Sequence, residues 1–94
     1  MDIREILTAA TIAAVSADFT VDHATVGVIA AGLAGAEVGV LQIKYDGINY
    51  IDVYANTALQ QLTATNNVIT VYGPGIYRIN KGVTAAAVSL HTAS

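Results

Sequence analysis

The stretch LTATNNVITVYGPGIYRINKG, residues 62–82, decides how this chain is read. It parses as strand, turn, strand, corner, strand, and the corner Gly73-Pro74-Gly75 holds the single proline of the chain. Proline fixes φ and glycine accepts positive φ, so two glycines around a proline make a sharp, stiff reversal. After the corner, Tyr77 and Ile79 alternate with Ile76, Arg78 and Asn80, the period of a strand with one buried face. Before it, Asn66-Asn67 tolerates left-handed geometry and separates strands expected over residues 59–65 and 68–72. The stretch reads as scaffold, without polar residues grouped for catalysis.

Working outward, the same period recurs. Asp46-Gly47 lies between β runs at 38–45 and 48–54, a strong hairpin signal because a type I′ turn needs positive φ twice. A two-residue loop sets Tyr45 opposite Ile48, Lys44 opposite Asn49 and Ile43 opposite Tyr50. Leu41, Ile43, Tyr45, Ile48 and Tyr50 then share the better core face. Residues 25–31, TVGVIAA, are apolar on both sides and predict a central or covered strand. Ala17, Phe19 and Val21 alternate with Ser16, Asp18 and Thr20, while Ala86, Val88 and Leu90 share a face near the C-terminus. About eight short, closely spaced strands with turn signals between them predict an all-β fold, an antiparallel sandwich of Ig-like or jelly-roll-like type. Residues 16–94 are expected to form that single domain.

Residues 1–15 are harder to place. Asp2-Ile3-Arg4-Glu5 matches a helix capping box, yet Thr8, Thr11 and Ile12 are β-branched and disfavour helix. A secretory signal fits the apolar run at 6–15, but its leading residues carry Asp2 and Glu5 against Arg4. The preferred expectation is an N-terminal arm that packs on a neighbour or becomes the first strand. Ile3, Ile6, Leu7 and Ile12 are its candidate assembly contacts, and removing residues 1–15 is expected to leave a folded domain that no longer assembles.

Composition narrows the function classes. There is no cysteine, so disulfides, thiolate metal sites and cysteine nucleophiles are excluded. Four basic residues, Arg4, Lys44, Arg78 and Lys81, within a net charge of −3 make no phosphate-binding stripe, which argues against nucleic acid as a partner. The N-terminal segment is too short and threonine-rich to span a membrane. Only 12% of residues are charged, against roughly 25% in ordinary soluble domains. Because interface cores are depleted in Lys, Glu and Asp, this depletion points to a surface covered by partners, with a robust β-domain wearing a threonine-rich coat as the alternative.

Reaction chemistry is thin. His23 and His91 have no acidic or histidine neighbours at ligand spacing and read as a turn and a strand-end histidine. Ser89, His91 and Asp52 make a triad only on paper, with Ser89 two residues from His91 on one strand. Asp18 and Asp22 lack the oxygen-dense loop that calcium requires. No catalytic, cofactor-binding or metal residue is expected. Of the tyrosines, Tyr77 reads as core or rim, Tyr50 stays open between core and surface, and Tyr54 suits an edge.

Four segments taken together resemble a known family. They are Ser16-Ala17-Asp18-Phe19-Thr20-Val21, Leu33-Ala34-Gly35-Ala36-Glu37, Leu62-Thr63-Ala64-Thr65-Asn66-Asn67 and Tyr72-Gly73-Pro74-Gly75-Ile76-Tyr77-Arg78, after an Ala/Thr-rich opening at 8–14. In that order they are similar to the small capsid decoration, or cement, proteins of tailed bacteriophages. The most distinctive part is the corner carried by Gly73, Pro74, Gly75, Tyr77 and Arg78. The resemblance implies a non-enzymatic virion protein, made in the host cytoplasm and seated on the outer capsid surface. It also implies a homotrimer that bridges subunits of the major capsid protein, without cofactors. A head-fibre or tail-associated domain and an Ig-like adhesion or carbohydrate-binding module are the competing readings.

Overall fold

The computed structural model describes residues 2–22 and 24–94; the turn histidine expected at His23 lies outside the described residues. The described residues form β1 (Ile3–Ala10), β2 (Ala14–Val15), β3 (Phe19–Val21), β4 (Thr25–Ala31), β5 (Gly39–Lys44) and β6 (Tyr50–Asp52). There follow β7 (Tyr54–Ala55), β8 (Ala58–Leu59), β9 (Gln61–Leu62), β10 (Val68–Tyr72), β11 (Gly75–Lys81) and β12 (Val88–Ala93). The first sheet runs β1-β12-β4-β10 and the second β2-β11-β5-β6, with β3 on β11 and β9 on β5. Thus β2 and β3 lie end to end along β11, while β6 and β9 lie end to end along β5. Each sheet then has four antiparallel lines, and the chain alternates between sheets except at the β5–β6 hairpin and the β6–β9 segment. This strand order is that of a jelly roll, one of the two sandwich types expected from the sequence.

Period-two alternation builds the core. β10 buries Ile69 and Val71, β11 buries Tyr77 and Ile79, and β12 buries Val88, Leu90 and Thr92. Across the gap, Ile6, Val28, Ala30, Ile69, Val71, Val88 and Leu90 of the first sheet meet Phe19, Val21, Leu41, Leu62, Tyr77 and Ile79 of the second. Burying each large aliphatic side chain is worth about 1.5–3 kcal/mol. β4 is central, between β12 and β10, as its apolar sequence predicts.

In the organising stretch the strands expected at 68–72 and after the corner form as β10 and β11, the one expected over 59–65 shortens to β9, and the stretch connects the two sheets instead of pairing with itself. β9 pairs with β5 in the second sheet, β10 with β4 in the first, and β11 returns to the second. Asn66-Asn67 therefore spans a crossover: Thr63 N donates to Asn66 O at 3.0 Å, and Ala30 N to Asn67 O at 2.9 Å. The Gly73–Pro74 bond is cis. A side chain at Gly73 would strike the backbone carbonyl oxygens of Val21 and Asp22, so glycine is required there.

The hairpin at Asp46 differs from its predicted register by one residue. Lys44 pairs with Tyr50, Ile43 with Ile51 and Gln42 with Asp52, around a three-residue loop. The cause is the Asp46 carboxylate, which accepts hydrogen bonds from Ile48 N at 3.0 Å, Asn49 N at 2.6 Å and Asn49 Nδ2 at 2.8 Å. An aspartate side chain that closes its own turn outcompetes the type I′ geometry. Since side chains alternate along a strand, the slip turns Tyr50 from the core face to the outer face. Consecutive positive φ values occur instead at Asn56 and Thr57, 53° and 65°, between β7 and β8.

Residues 3–10 form the first strand, one of the two forms expected of this segment, and the helix suggested by the capping-box pattern does not form. Asp2 N donates to Ser94 O at 2.7 Å and Ser94 N to Asp2 O at 3.0 Å, committing Asp2 to the ladder with β12 instead of to a cap. Ile6 is buried in the core and Leu7 is partly buried against it, whereas Ile3 and Ile12 are 60% and 67% exposed. Residues 14 and 15 already belong to the second sheet. The segment is held because β12 offers it a free edge and Ile6, with Leu7 beside it, completes the core.

Candidate functional site

Charge on the molecule is distributed unevenly. On the outer face of the second sheet, four strand lines place Asp18, Arg78, Gln42, Lys44, Tyr50 and Asp52 side by side. The Tyr50 hydroxyl lies 2.7 and 2.8 Å from the two carboxylate oxygens of Asp18, and Lys44 Nζ is 2.9 Å from the same group. Arg78 Nε donates to Gln42 Oε1 at 2.8 Å, and Gln42 Nε2 donates to Asp52 Oδ1 at 2.9 Å. The Arg78 guanidinium also stacks on the Tyr50 ring, 3.6 Å from its centroid, a cation–π contact worth about 0.5–1 kcal/mol at a half-exposed site. The Tyr50 hydroxyl and the Lys44 ammonium hold the Asp18 carboxyl below its ordinary range, and Asp18 in turn raises Lys44. These groups satisfy one another and leave little free charge to present.

Lys81 is spent internally as well. Its side chain is buried and Nζ donates to Ile12 O at 2.6 Å and Gly82 O at 3.1 Å, tying the β1–β2 connection to the end of β11. Glu37 joins two loops by accepting from Ala34 N at 2.9 Å and Ala85 N at 2.7 Å.

Among the described residues, one flank of the sandwich carries no charge except Asp52 of β6, whose carboxylate accepts from Gln42 on the outer face. Residues 53–77, twenty-five in succession, contain no Asp, Glu, Lys, Arg or His. They supply β7 to β10 and the corner, and with β6 they make the side of the molecule where both sheets end. Ile51, Tyr54, Val68 and Tyr72 are exposed along it, Val68 at 54% and Tyr72 at 70%. Between the edges lies a cleft of about 230 Å³ lined by Leu41, Val53, Ala55, Gln60, Val71 and Tyr72, with Tyr77 at its base. This is below the roughly 300–1,000 Å³ of ligand pockets. The flank therefore suits a flat partner better than a small molecule.

The corner residues hold the fold. Tyr77 is buried, stacks on Phe19 with centroids 6.0 Å apart, and donates its hydroxyl to Tyr72 O at 2.7 Å; burial pushes its ionisation upward. Gly75 gives that ring room, since a side chain there would collide with it. Arg78 belongs to the ladder of the outer face. Ser89 and His91 face outward from the first sheet, where His91 Nε2 is 3.9 Å from Glu5, and Asp52 is on the second sheet's outer face, so the triad is not assembled. Asp18 is engaged by Lys44 and Tyr50. Tyr50 is half-buried and Tyr54 exposed at an edge. Sequence reasoning missed the ladder, whose assembly depends on the hairpin slip, and the charge-free run over 53–77, which a count of uncharged residues would have revealed.

The chain matches no protein-family model, no curated protein and no solved structure.

Proposed function

We propose that this chain is a virion structural protein that decorates and stabilises the outside of an icosahedral phage capsid, bridging major capsid subunits. The observation that carries the reading is the disposition of charge. A polar ladder consumes its own charges on one face, and an adjoining flank offers uncharged, apolar edges. A cement must cover wide area on a shell, and neutral edges and faces allow close apposition without stranding ions. Many weak contacts on one particle add through multivalency. The jelly roll is also an architecture that recurs in capsid proteins, and the resemblance of the four sequence segments points the same way.

The test is binding to expanded, undecorated heads, with bound copies counted by quantitative mass spectrometry after sedimentation. Saturable binding at a copy number comparable to that of the major capsid protein is expected. Absence of cosedimentation at micromolar concentration overturns the reading. Exposed Tyr54 and Tyr72 beside the cleft favour one alternative, a fibre or tail-associated domain recognising a host surface. A copy number far below that of the shell subunit selects that alternative.

A further inference from the structure

The jelly roll has four open edges, and three are blunted. β1 carries Arg4 and Glu5 and has two register irregularities against β12, between Glu5 and Leu7 and between Leu7 and Ala10. The β2–β3 edge is broken into pieces of two and three residues. The edge of the second sheet beside the cleft is also broken, into β6 and β9 with the β7–β8 hairpin between them. Charges, bulges and short segments are the devices that keep sheet edges from pairing. β10 has none of them. Its five residues, VITVY, pair in unbroken register with β4 on one side only, carry no charge and contain no proline. A regular, uncharged, β-branched edge is a template for strand addition.

We propose that β10 is a homotypic docking edge, pairing antiparallel with β10 of a second copy about a two-fold axis at Thr70. The strand is self-complementary in the register that gives full overlap. Val68 falls opposite Tyr72 of the partner copy, Ile69 opposite Val71, and Thr70 opposite itself, so every cross-strand pair is β-branched or aromatic. Such pairs favour association, and no like charges meet. A two-fold interface demands a patch complementary to itself, which the uncharged β10 edge satisfies, while Asp52 of the neighbouring β6 is bonded to Gln42 on the outer face.

The geometry supplies the rest of the interface. Joining the first sheets edge to edge makes one eight-stranded sheet with both cores on the same side. The β6–β9 flanks then meet beneath it, each cleft is closed by the other copy, and Ile51 and Tyr54 leave water. The molecule measures 34 × 30 × 25 Å, so a flank is large enough to bury the roughly 800 Å² per partner typical of a stable pair. This inference concerns the chain alone and does not depend on capsid binding.

The test exploits the symmetry at Thr70, an exposed position. Light scattering of the chain should give twice its 9.7 kDa mass. Thr70→Lys and Thr70→Glu each set like charges face to face and should halve the observed mass, while an equimolar mixture of the two should restore the pair at low salt. Circular dichroism checks that each variant is folded. In the chain, which has no cysteine, Thr70→Cys should form a disulfide-linked pair under mild oxidation, and the exposed control Thr20→Cys should not. A wild-type chain that stays monomeric at high micromolar concentration overturns the proposal. So do charge variants that keep the wild-type mass, or a Thr70→Cys chain that cross-links no faster than the control.

Discussion

The two edges of the first sheet, β1 and β10, make opposite use of similar chemistry. Both are rich in β-branched residues, and both expose apolar side chains, Ile3 on one and Val68 and Tyr72 on the other. β1 is the longer, yet it is irregular, charged and anchored by Ile6 in the core. β10 is unbroken, regular and neutral. What separates a structural edge from an associating one here is regularity and charge, not apolar content.

The largest expected effect breaks the β1 side. Removing residues 1–10 strips β12 of its outer neighbour and opens the core at Ile6, so the cooperative thermal transition should be lost in circular dichroism. A folded domain with an unchanged melt would restore the detachable-arm reading. More locally, Ile6→Ala should destabilise by about 2–5 kcal/mol, as other core truncations do, while Ile3→Ala should stay within about 0.5 kcal/mol. Urea unfolding measures both.

Lys81→Met tests whether the β1–β2 connection is tied to the sandwich by its ammonium. It removes the hydrogen bonds from the ammonium to the Ile12 and Gly82 carbonyls, which should cost about 1–3 kcal/mol. An unaltered urea midpoint contradicts that role.

A smaller effect concerns acid. Asp18 and Asp46 both have carboxyls held below the ordinary value of 3.8, the first chiefly by the Tyr50 hydroxyl and then Lys44, the second chiefly by the Asn49 and Ile48 amides. A depressed folded value means that stability is present above pH 3.8 and is lost as pH falls through the lower folded value. Asp18→Asn should therefore flatten the fall in stability below about pH 4, with little change in its shape above pH 6. An identical acid limb in wild type and variant rules out the Asp18 contribution. Smallest of all, Thr70→Lys should leave the stability of the isolated chain within about 0.5 kcal/mol, since the position is exposed.

The sandwich was legible because its signal is local. Alternation in 68–72 and 75–81 names the buried residues, and the strict spacing around Tyr77 predicts its core position. The register at Asp46 was not legible, because a dipeptide preference competes there with a side-chain carboxylate able to close a longer loop. That single residue decides whether Tyr50 is core or surface, and with it whether the ladder exists. At the N-terminus, a capping-box pattern competed with an open strand edge supplied by residues 78 to 90 positions away. The lack of charge over 53–77 can be counted from the sequence. That it surrounds an unpaired edge depends on strand order, which local patterns do not encode.

Amide hydrogen exchange along the two edges, followed from dilute to concentrated protein, tests the central claim most directly. Protection at Val68–Tyr72 should rise with concentration while that across Ile3–Ala10 stays constant. Concentration-dependent protection on β1 with none on β10 would contradict the account.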